Sequence, residues 1–231
     1  MKVRTQVMEK NKTGRAVIIT NGEIKNHSSL YKILTSKYSL SCKDTVIAAD
    51  GGAENCLKMN LIPDIVIGDM DSIKKDTTRQ LGLKSKKIKY ISSSPTKDES
   101  DTQLAVEYAV NLNAGKIIII GATGGRIDHS FANLVLLASR DYNNLDIRII
   151  DENSEIFVIK KSTEITGEKG KNISIFSLSP YTYFTGTTGL KYKLKNEKLF
   201  FSPVRGLSNE FIENTANINI KRGQLLIVRE I

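Results

Sequence analysis

Short apolar runs alternate with helical patterns through the first part of the chain. The runs are often β-branched and lack polar alternation, which is typical of strands covered on both faces. They predict strands at residues 16–20, 46–50, 65–69, 88–92, 117–121 and 147–151. The segments between them predict helices at residues 28–38, 52–59, 73–81, 100–113 and 129–142. This alternation predicts an α/β domain built on a doubly wound, mostly parallel sheet.

The pattern changes after about residue 151, where no helical periodicity remains. Turn signals such as Thr166-Gly167 and Arg222-Gly223 separate short segments, several of which alternate strictly. They predict strands at residues 155–160, 172–178, 181–185, 190–195, 198–201, 211–220 and 224–229. Such a series is typical of a small antiparallel β-sandwich or barrel. We therefore expect two domains, residues 15–151 and residues 152–231.

The composition of the chain is that of a globular protein and argues against a secreted or membrane-spanning one. The chain has 231 residues, 40% hydrophobic and 26% charged, which are ordinary fractions for a globular protein. Its basic start lacks the apolar segment of a secretory signal, and no apolar run is long enough to span a membrane. The two cysteines, Cys42 and Cys56, fit a reducing compartment. We expect a cytoplasmic protein without a membrane partner.

The net charge of +9 raises the alternative of a nucleic-acid-binding protein. The lysines are mostly dispersed, however, and the densest stretch, residues 84–89, contains no aromatic residue that could stack on a base. We expect no nucleic-acid partner, and a mildly positive surface would also attract ATP.

Acidic residues follow several of the predicted parallel strands, whose carboxyl ends share one edge of the sheet. Asp69 ends the third predicted strand, and Asp71 lies two residues further on. Their side chains share a face if the strand continues through both, and a tight turn would also aim both at this edge. Two close carboxylates repel each other, so either one of them is protonated or a cation lies between them. Mg²⁺ suits the second outcome, because it binds through one or two carboxylates together with waters and phosphate oxygens. The alternative is a polar loop in which Asp71 caps the next helix.

Asp98 and Asp101 open the helix predicted at residues 100–113. Acidic residues in a first helical turn are also favoured by capping and by the helix dipole. Glu99 makes three carboxylates within four residues, which is more than a cap needs. Asp50-Gly51-Gly52 follows the second strand and has its own alternative interpretation as a turn and helix start.

Residues 121–129 form a glycine-rich turn between a strand and a helix. Backbone amides at the helix start can bind an anion, and Arg126 could hold a phosphate with two hydrogen bonds. Asp128 could bind a metal, accept a proton or cap the helix. His129 could contact phosphate or have a structural role. The segment lacks the Gly-Lys-Ser/Thr sequence of a P-loop.

Taken in order, these clusters resemble the motif series of the thiamine pyrophosphokinase family. The resemblance covers nearly the whole chain from about Val17 onward. The motifs are Ala49-Asp50-Gly51-Gly52-Ala53, Pro63-Asp64, Gly68-Asp69-Met70-Asp71-Ser72, Asp98-Glu99-Ser100-Asp101, Gly124-Gly125-Arg126-Ile127-Asp128-His129, Gly189-Leu190-Lys191-Tyr192-Lys193-Leu194 and Gly206-Leu207-Ser208-Asn209-Glu210.

The resemblance implies an α/β nucleotide-binding catalytic domain, a thiamine-binding β-sandwich domain and a homodimer whose subunits share the active site. It implies transfer of pyrophosphate from Mg-ATP to the hydroxyl of thiamine, with release of AMP. The metal ligands it implies are Asp69, Asp71, Asp98 and Asp101. The catalytic residues it implies are Asp71, Asp98, Asp101, Arg126 and Asp128. The ATP-binding residues are Asp50, Gly51, Gly52, Thr123, Arg126 and His129, and the thiamine-binding residues are Ser208 and Asn209.

Two departures from the family pattern bear on these expectations. Glu99-Ser100 stands where many members have other residues between the two aspartates. The chain has no tryptophan, so the aromatic platform that some members offer thiamine must differ here. The nearest alternative is a pyrophosphokinase acting on a pterin alcohol. A different class is a basic nucleic-acid-binding protein whose acidic clusters are only helix caps.

Overall fold

The computed structural model describes residues 14–71, 73–85, 87–93 and 99–231. They form two compact units that meet in sequence between Gly124 and Gly125. The elements of the N-terminal unit are β1 (Gly14–Ile19), α1 (His27–Ser36), β2 (Thr45–Ala49), α2 (Gly52–Lys58), β3 (Ile65–Gly68), α3 (Lys75–Lys84), β4 (Lys89–Ser92), α4 (Asp101–Asn111) and β5 (Ala114–Ile120).

The C-terminal unit begins with α5 (Ile127–Leu136) and a short 3-10 helix (Arg140–Tyr142). Its strands are β6 (Asp146–Ile150), β7 (Ser154–Ile159), β8 (Thr163–Thr166), β9 (Asn172–Ser177), β10 (Tyr181–Thr188), β11 (Glu197–Phe200), β12 (Asn209–Glu210), β13 (Thr215–Arg222) and β14 (Leu225–Glu230).

The N-terminal unit is built on five parallel strands in the order β5-β1-β2-β3-β4. The inner strands are buried along most of their length, as their β-branched sequences predict, and α4 packs on β1, β2, β3 and β5. β4 is the edge strand and is largely exposed, so the expectation of a strand covered on both faces is wrong there. The prediction of an α/β part with a mostly parallel sheet is confirmed.

The strands of the C-terminal unit pair antiparallel in the orders β12-β9-β14-β7-β6 and β11-β10-β13-β8. One core joins both sets of strands. It includes Phe157 and Ile175 from the first set and Phe184, Leu199 and Ile218 from the second. Alternate residues of the strands point into this core, as the sequence pattern indicates. The predicted antiparallel β-sandwich is therefore confirmed.

The strand predicted at residues 190–195 is wrong. Leu190 forms only an isolated bridge with Phe211, and the next residues are not in a strand. The Asn209 side chain accepts a hydrogen bond from the Tyr192 backbone N–H at 3.0 Å and donates one to the Tyr192 carbonyl at 2.8 Å. A side chain thus satisfies the backbone groups that a neighbouring strand would otherwise satisfy. β8 (Thr163–Thr166) is a strand that the sequence pattern did not predict.

The helix predicted at residues 129–142 begins earlier and ends earlier. α5 runs from Ile127 to Leu136, and the 3-10 helix from Arg140 to Tyr142 follows it. Ser139 adopts an extended conformation, and its hydroxyl accepts a hydrogen bond from the Asp141 N–H. A serine that caps a new turn interrupts the longer helix.

No helix in the described ranges is both long and apolar enough to cross a membrane. The division into domains at residues 151 and 152 stays a prediction.

Candidate active site

The carboxyl ends of β2 and β3 place acidic residues side by side. Asp50 follows β2 directly, and its backbone N–H donates a hydrogen bond of 2.7 Å to the Ile67 carbonyl of β3. Asp50 has a φ of 48°, in the left-handed region that turns the chain out of the strand. Gly68 leaves room for this turn, because a Cβ there would lie 2.9 Å from the Asp50 Cβ.

Asp69 and Asp71 lie on a tight turn after β3. The strand ends at Gly68, and Met70 has a left-handed φ of 67°. The Asp71 backbone N–H donates a hydrogen bond of 3.1 Å to Asp69 Oδ1. Of the two geometries left open by the sequence, the structure has the turn. Asp71 does not cap α3, because the residue that precedes that helix is Lys74.

Three carboxylates converge at this edge of the sheet. Asp50, Asp69 and Asp71 each offer a carboxylate oxygen, and these oxygens lie within 4.8 Å of one another. A hydrogen bond and the negative charge of Asp69 raise the pKa of Asp71. The charges of Asp50 and Asp101 raise it further. Carboxylates that disfavour one another's charge in this way would be stabilised by a divalent cation. The chemistry and spacing of this donor set fit Mg²⁺.

Asp101 is the first residue of α4, and its charge acts on Asp71. The cap of this helix is Ser100, whose hydroxyl accepts a hydrogen bond of 3.2 Å from the Gln103 N–H. Asp101 is therefore not needed as the cap. Asp98 lies outside the described residues, so its proposed role as a metal ligand stays a prediction.

Close backbone approaches require glycine at the same edge. A Cβ on Gly52 would lie 2.0 Å from the Ile19 carbonyl oxygen. A Cβ on Gly22 would lie 2.0 Å from the carbonyl oxygen of Gly121 and 2.7 Å from that of Thr123. The turns after β1, β2 and β5 are thus packed backbone against backbone. Two residues predicted to bind ATP lie here: Gly52 is the first residue of α2, and Thr123 lies in the turn after β5.

Asn55 of α2 is a supporting residue that the sequence analysis missed. Its buried side chain donates hydrogen bonds of 2.8 Å to the Thr20 carbonyl and 3.0 Å to the Gly22 carbonyl. It therefore fixes the turn after β1. A single asparagine within a short, otherwise largely apolar helix was the available signal. Gly51 directly precedes α2, and a Cβ there would lie 2.5 Å from the Asn21 side chain.

The start of α5, in the C-terminal unit, carries Arg126, Asp128 and His129. Arg126 is the residue before the helix, and Asp128 lies in its first turn, so Asp128 is not the cap. Arg126 Nη2 and Asp128 Oδ2 form an ion pair of 2.5 Å, with both side chains mostly exposed. The His129 backbone N–H donates a hydrogen bond of 3.0 Å to Asp128 Oδ1. The guanidinium is held in place and remains accessible to an anion.

The hydrogen bond from Arg126 lowers the pKa of Asp128 to about 2. We expect the Arg126→Gln variant to raise this pKa toward 3.8, measured by carboxyl ¹³C NMR titration. Since the pKa of Asp128 is depressed in the folded state, the ion pair stabilises the folded protein at pH values above the unfolded pKa. This stabilisation is lost as the pH falls through about 2. Arg140→Gln, which removes an arginine outside this pair, should leave the titration of Asp128 unchanged. An unmoved midpoint in Arg126→Gln would contradict the assigned cause.

Ser208 and Asn209 lie at the start of β12, in the C-terminal unit. Ser208 has a left-handed φ of 56°, and its N–H donates a hydrogen bond of 3.1 Å to the Ser174 hydroxyl. Asn209 is buried, and its amide is engaged with the backbone of Tyr192. Tyr192 is 63% exposed. The Asn209 side chain thus fixes the backbone of an exposed aromatic residue.

The fold and the carboxylate cluster define a two-part α/β and antiparallel β protein with a site suited to a divalent cation and phosphate. The family model of the thiamin pyrophosphokinase catalytic domain matches residues 36–149, and that of the thiamin pyrophosphokinase vitamin B1 binding domain matches residues 156–225. The chain belongs to the thiamine pyrophosphokinase family of enzymes.

Similar proteins extend this likeness over most of the chain. Thiamine pyrophosphokinase from Bacillus subtilis is 30% identical over 186 residues, which cover 79% of this chain and 86% of that protein. A crystal structure of Bacillus subtilis thiamine pyrophosphokinase covers 94% of this chain and 98% of its own, with a TM-score of 0.82 and 27% identity. The yeast enzyme, at 19% identity, shares the fold with a TM-score of 0.78 and coverages of 96% and 88%.

Proposed function

We propose that this protein transfers pyrophosphate from Mg-ATP to the hydroxyl of thiamine, giving thiamine diphosphate and AMP. The observation that carries the proposal is the convergence of Asp50, Asp69 and Asp71 in a chain of this family. Three carboxylates at the carboxyl edge of a parallel sheet are suited to holding the cation that accompanies a nucleotide's phosphates.

In this proposal Asp69 and Asp71 hold Mg²⁺, together with Asp98 and Asp101, and Asp50 lies close enough to share in the site. When bound, Mg²⁺ neutralises charge on the phosphate oxygens and orients them. Sequence reasoning assigned Asp50 to ATP, and its position beside Asp69 favours a role toward the cation as well.

The protein's own residues mainly position the reactants and balance their charge. The thiamine alcohol attacks the β-phosphorus of ATP, the bond from that phosphorus to the α-phosphate oxygen breaks, and AMP leaves. One of two aspartates, Asp101 or Asp71, accepts the proton of the alcohol. Asp50, Gly51, Gly52, Thr123 and His129 are proposed to bind ATP.

Arg126 is proposed to stabilise negative charge on the phosphates, with Asp128 orienting it. Its exposed guanidinium, held by Asp128 through two hydrogen bonds, supports this role.

Incubation of the purified full chain with thiamine, ATP and Mg²⁺, followed by chromatographic measurement of AMP and thiamine diphosphate, tests this function. We expect the two products in equal amounts and none when Mg²⁺ is removed by chelation. AMP formation with a pterin alcohol but not with thiamine would overturn the substrate. Salt-dependent oligonucleotide binding without ATP turnover would favour the nucleic-acid-binding alternative.

The acceptor is proposed to bind at Ser208 and Asn209, with the exposed Tyr192 ring as the aromatic surface in a chain that lacks tryptophan. A planar ring can stack on a heteroaromatic cation such as thiamine. Asn209 accepts a hydrogen bond from the Tyr192 N–H and donates one to the Tyr192 carbonyl. These two bonds support the arrangement, since they fix the backbone that carries the ring.

We expect Asn209→Ala to raise the KM for thiamine by about tenfold with little change in the KM for ATP, because it removes the hydrogen bonds that fix Tyr192. Steady-state kinetics with each substrate varied in turn measures both constants. Asn217→Ala removes an asparagine amide from β13 and should leave both constants near normal. An effect confined to ATP would count against placing Asn209 in the acceptor site.

A homodimer is proposed as the assembly. The exposed apolar positions of α5 support it: Ile127 is 84% exposed, Phe131 65% and Val135 49%. Their spacing of four residues puts them on one helical face, and a stripe of this kind is typical of a protein interface.

The proposed compartment is the cytoplasm, with Cys42 and Cys56 both as free thiols.

We expect Phe131→Lys to weaken self-association by about tenfold or more, since a central apolar contact would be replaced by a charge. Sedimentation equilibrium measures the dissociation constant. Leu83 is 80% exposed on α3, so Leu83→Lys makes the same change elsewhere and should leave association unaffected. Equal association of wild type and Phe131→Lys would exclude this face of α5 from the interface.

A further inference from the structure

A cavity of about 360 Å³ lies in the C-terminal unit. Its lining comes from Leu137 directly after α5, the 3-10 helix and its following loop, β6, the end of β7 and the segment that leads from β7 into β8. Its apolar wall includes Leu137, Ile147, Val158 and Ile159. This volume falls within the range of small-molecule sites. The lining combines these apolar side chains with polar and charged residues. None of the residues proposed for catalysis, ATP or thiamine lines it.

The charged groups at this cavity are all positive. Lys160 and Lys161 line it, and among its lining residues in the described structure none is acidic. The Lys160 ammonium donates hydrogen bonds to the Ser139 carbonyl, at 3.3 Å, and to the Asn143 side chain. It has no carboxylate partner among the described residues, and neither does Lys161. Partial burial lowers the pKa of Lys160, so its charged form is somewhat disfavoured.

A bound anion would stabilise the charged ammonium group of Lys160 in two ways. The anion would supply the opposite charge that the cavity lacks, and it would accept the hydrogen bond left to Lys160 after its two protein partners. The Asn143 and Asn144 amides and the Thr163 hydroxyl add further polar groups around the lysines. The apolar wall requires more than a simple inorganic ion, because a small ion would leave that wall in contact with water.

We propose that this cavity is an accessory binding site for a small organic anion: a carboxylate or phosphate monoester joined to an apolar or aromatic body. The charged end contacts Lys160 and Lys161, and the body packs against Leu137 and Val158. The site selects against thiamine itself, because the thiazolium cation would face two ammonium groups. It also differs from the carboxylate cluster in charge, so a divalent cation has no ligands here.

Titration of the isotope-labelled full chain with four probes tests the site by amide NMR. We expect benzoate or phenyl phosphate to bind saturably and to shift amides within residues 137–163. The neutral benzamide should bind at least about tenfold more weakly, since it lacks the charge-assisted hydrogen bonds. Inorganic phosphate should also bind at least about tenfold more weakly, since it buries no apolar surface. Equal affinity for benzamide, or for inorganic phosphate, would overturn the proposal, as would the absence of saturable shifts in this segment.

Substitutions distinguish the contribution of Lys160 and Lys161 to binding from the effect of the protein's overall positive charge. Lys160→Gln/Lys161→Gln should weaken binding of the tighter aromatic anion by about tenfold or more. Lys161→Gln alone removes a side chain without a hydrogen-bond partner in the described structure, so it reports on charge even if the double variant disturbs the loop at Ser139. Lys169→Gln/Lys195→Gln removes two exposed charges that do not line the cavity and should leave the affinity unchanged. Equal weakening in both double variants, or none with Lys161→Gln, would contradict the site. The binding measurement is independent of catalysis, so it stands or fails apart from the proposed function.

Discussion

Asp71→Asn is expected to lower kcat/KM for pyrophosphate transfer more than about a hundredfold while the protein remains folded. The substitution replaces a carboxylate that we propose binds Mg²⁺ with a neutral side chain of the same shape. The turn itself should persist, because it depends on the Asp71 backbone N–H and the Asp69 carboxylate. Steady-state kinetics over a range of Mg²⁺ concentrations measures the effect. We expect the variant to need more Mg²⁺ for half-maximal turnover.

Asp76→Asn is the matched control. Asp76 is an exposed aspartate in the first turn of α3, and its carboxylate accepts a hydrogen bond of 2.6 Å from the Gln80 amide. The control removes the same charge from the same unit without touching the cluster, so its kinetics should match those of the wild type. Near-normal turnover in Asp71→Asn, or an equal loss in both variants, would show that Asp71 is not a metal ligand.

The position of the aspartates at the carboxyl edge of the sheet could be predicted from a local sequence pattern combined with a general rule about parallel strands. Each parallel strand is a short apolar run, and Asp50 and Asp69 follow two of them directly. The rule that the carboxyl ends of parallel strands share an edge then brings the aspartates together without any knowledge of distance. The order of the strands within the sheet could not be predicted from the sequence. Because β2 and β3 are neighbours, Asp50 lies within reach of Asp69 and Asp71 and becomes part of the same cluster.

Tertiary contacts decided what the sequence could not predict. Residues 190–195 have the composition of a strand, yet the Asn209 side chain, 17 residues from Tyr192, occupies the hydrogen-bonding groups that define one. Asn55 has a similar role at the turn after β1. Nothing in the local pattern of either asparagine indicates which distant backbone groups it binds, because a side-chain-to-backbone contact leaves no periodic signal.

Glu155 is a buried carboxylate of the C-terminal unit that is paired with two arginines. It lies on β7, is 0% exposed, and accepts hydrogen bonds from Arg148 Nη1 at 2.9 Å and Arg229 Nε at 2.5 Å. The two arginines belong to β6 and β14, the strands on either side, so one carboxylate links three strands. Burial raises the pKa of Glu155, but the charges of Arg148 and Arg229 outweigh it and hold the pKa below its ordinary value.

Glu155→Gln is expected to lower the free energy of unfolding at pH 7 by about 3 kcal/mol, because it leaves two arginines without their buried counter-charge. The loss should be near the low end of what breaking a buried pair costs, since both arginines keep some contact with water. Urea unfolding followed by circular dichroism measures it. Glu164→Gln, on the exposed side of β8, makes the same chemical change and should cost little.

The pH dependence separates this electrostatic cause from a packing defect. A carboxylate with a depressed folded-state pKa stabilises the protein above its unfolded pKa, and this contribution is lost as the pH falls through the folded-state pKa. The stability difference between wild type and Glu155→Gln should therefore shrink as the pH is lowered, because protonated Glu155 resembles glutamine. A difference that stays constant on acidification would indicate that shape, and not the charge shared with Arg148 and Arg229, holds the three strands together.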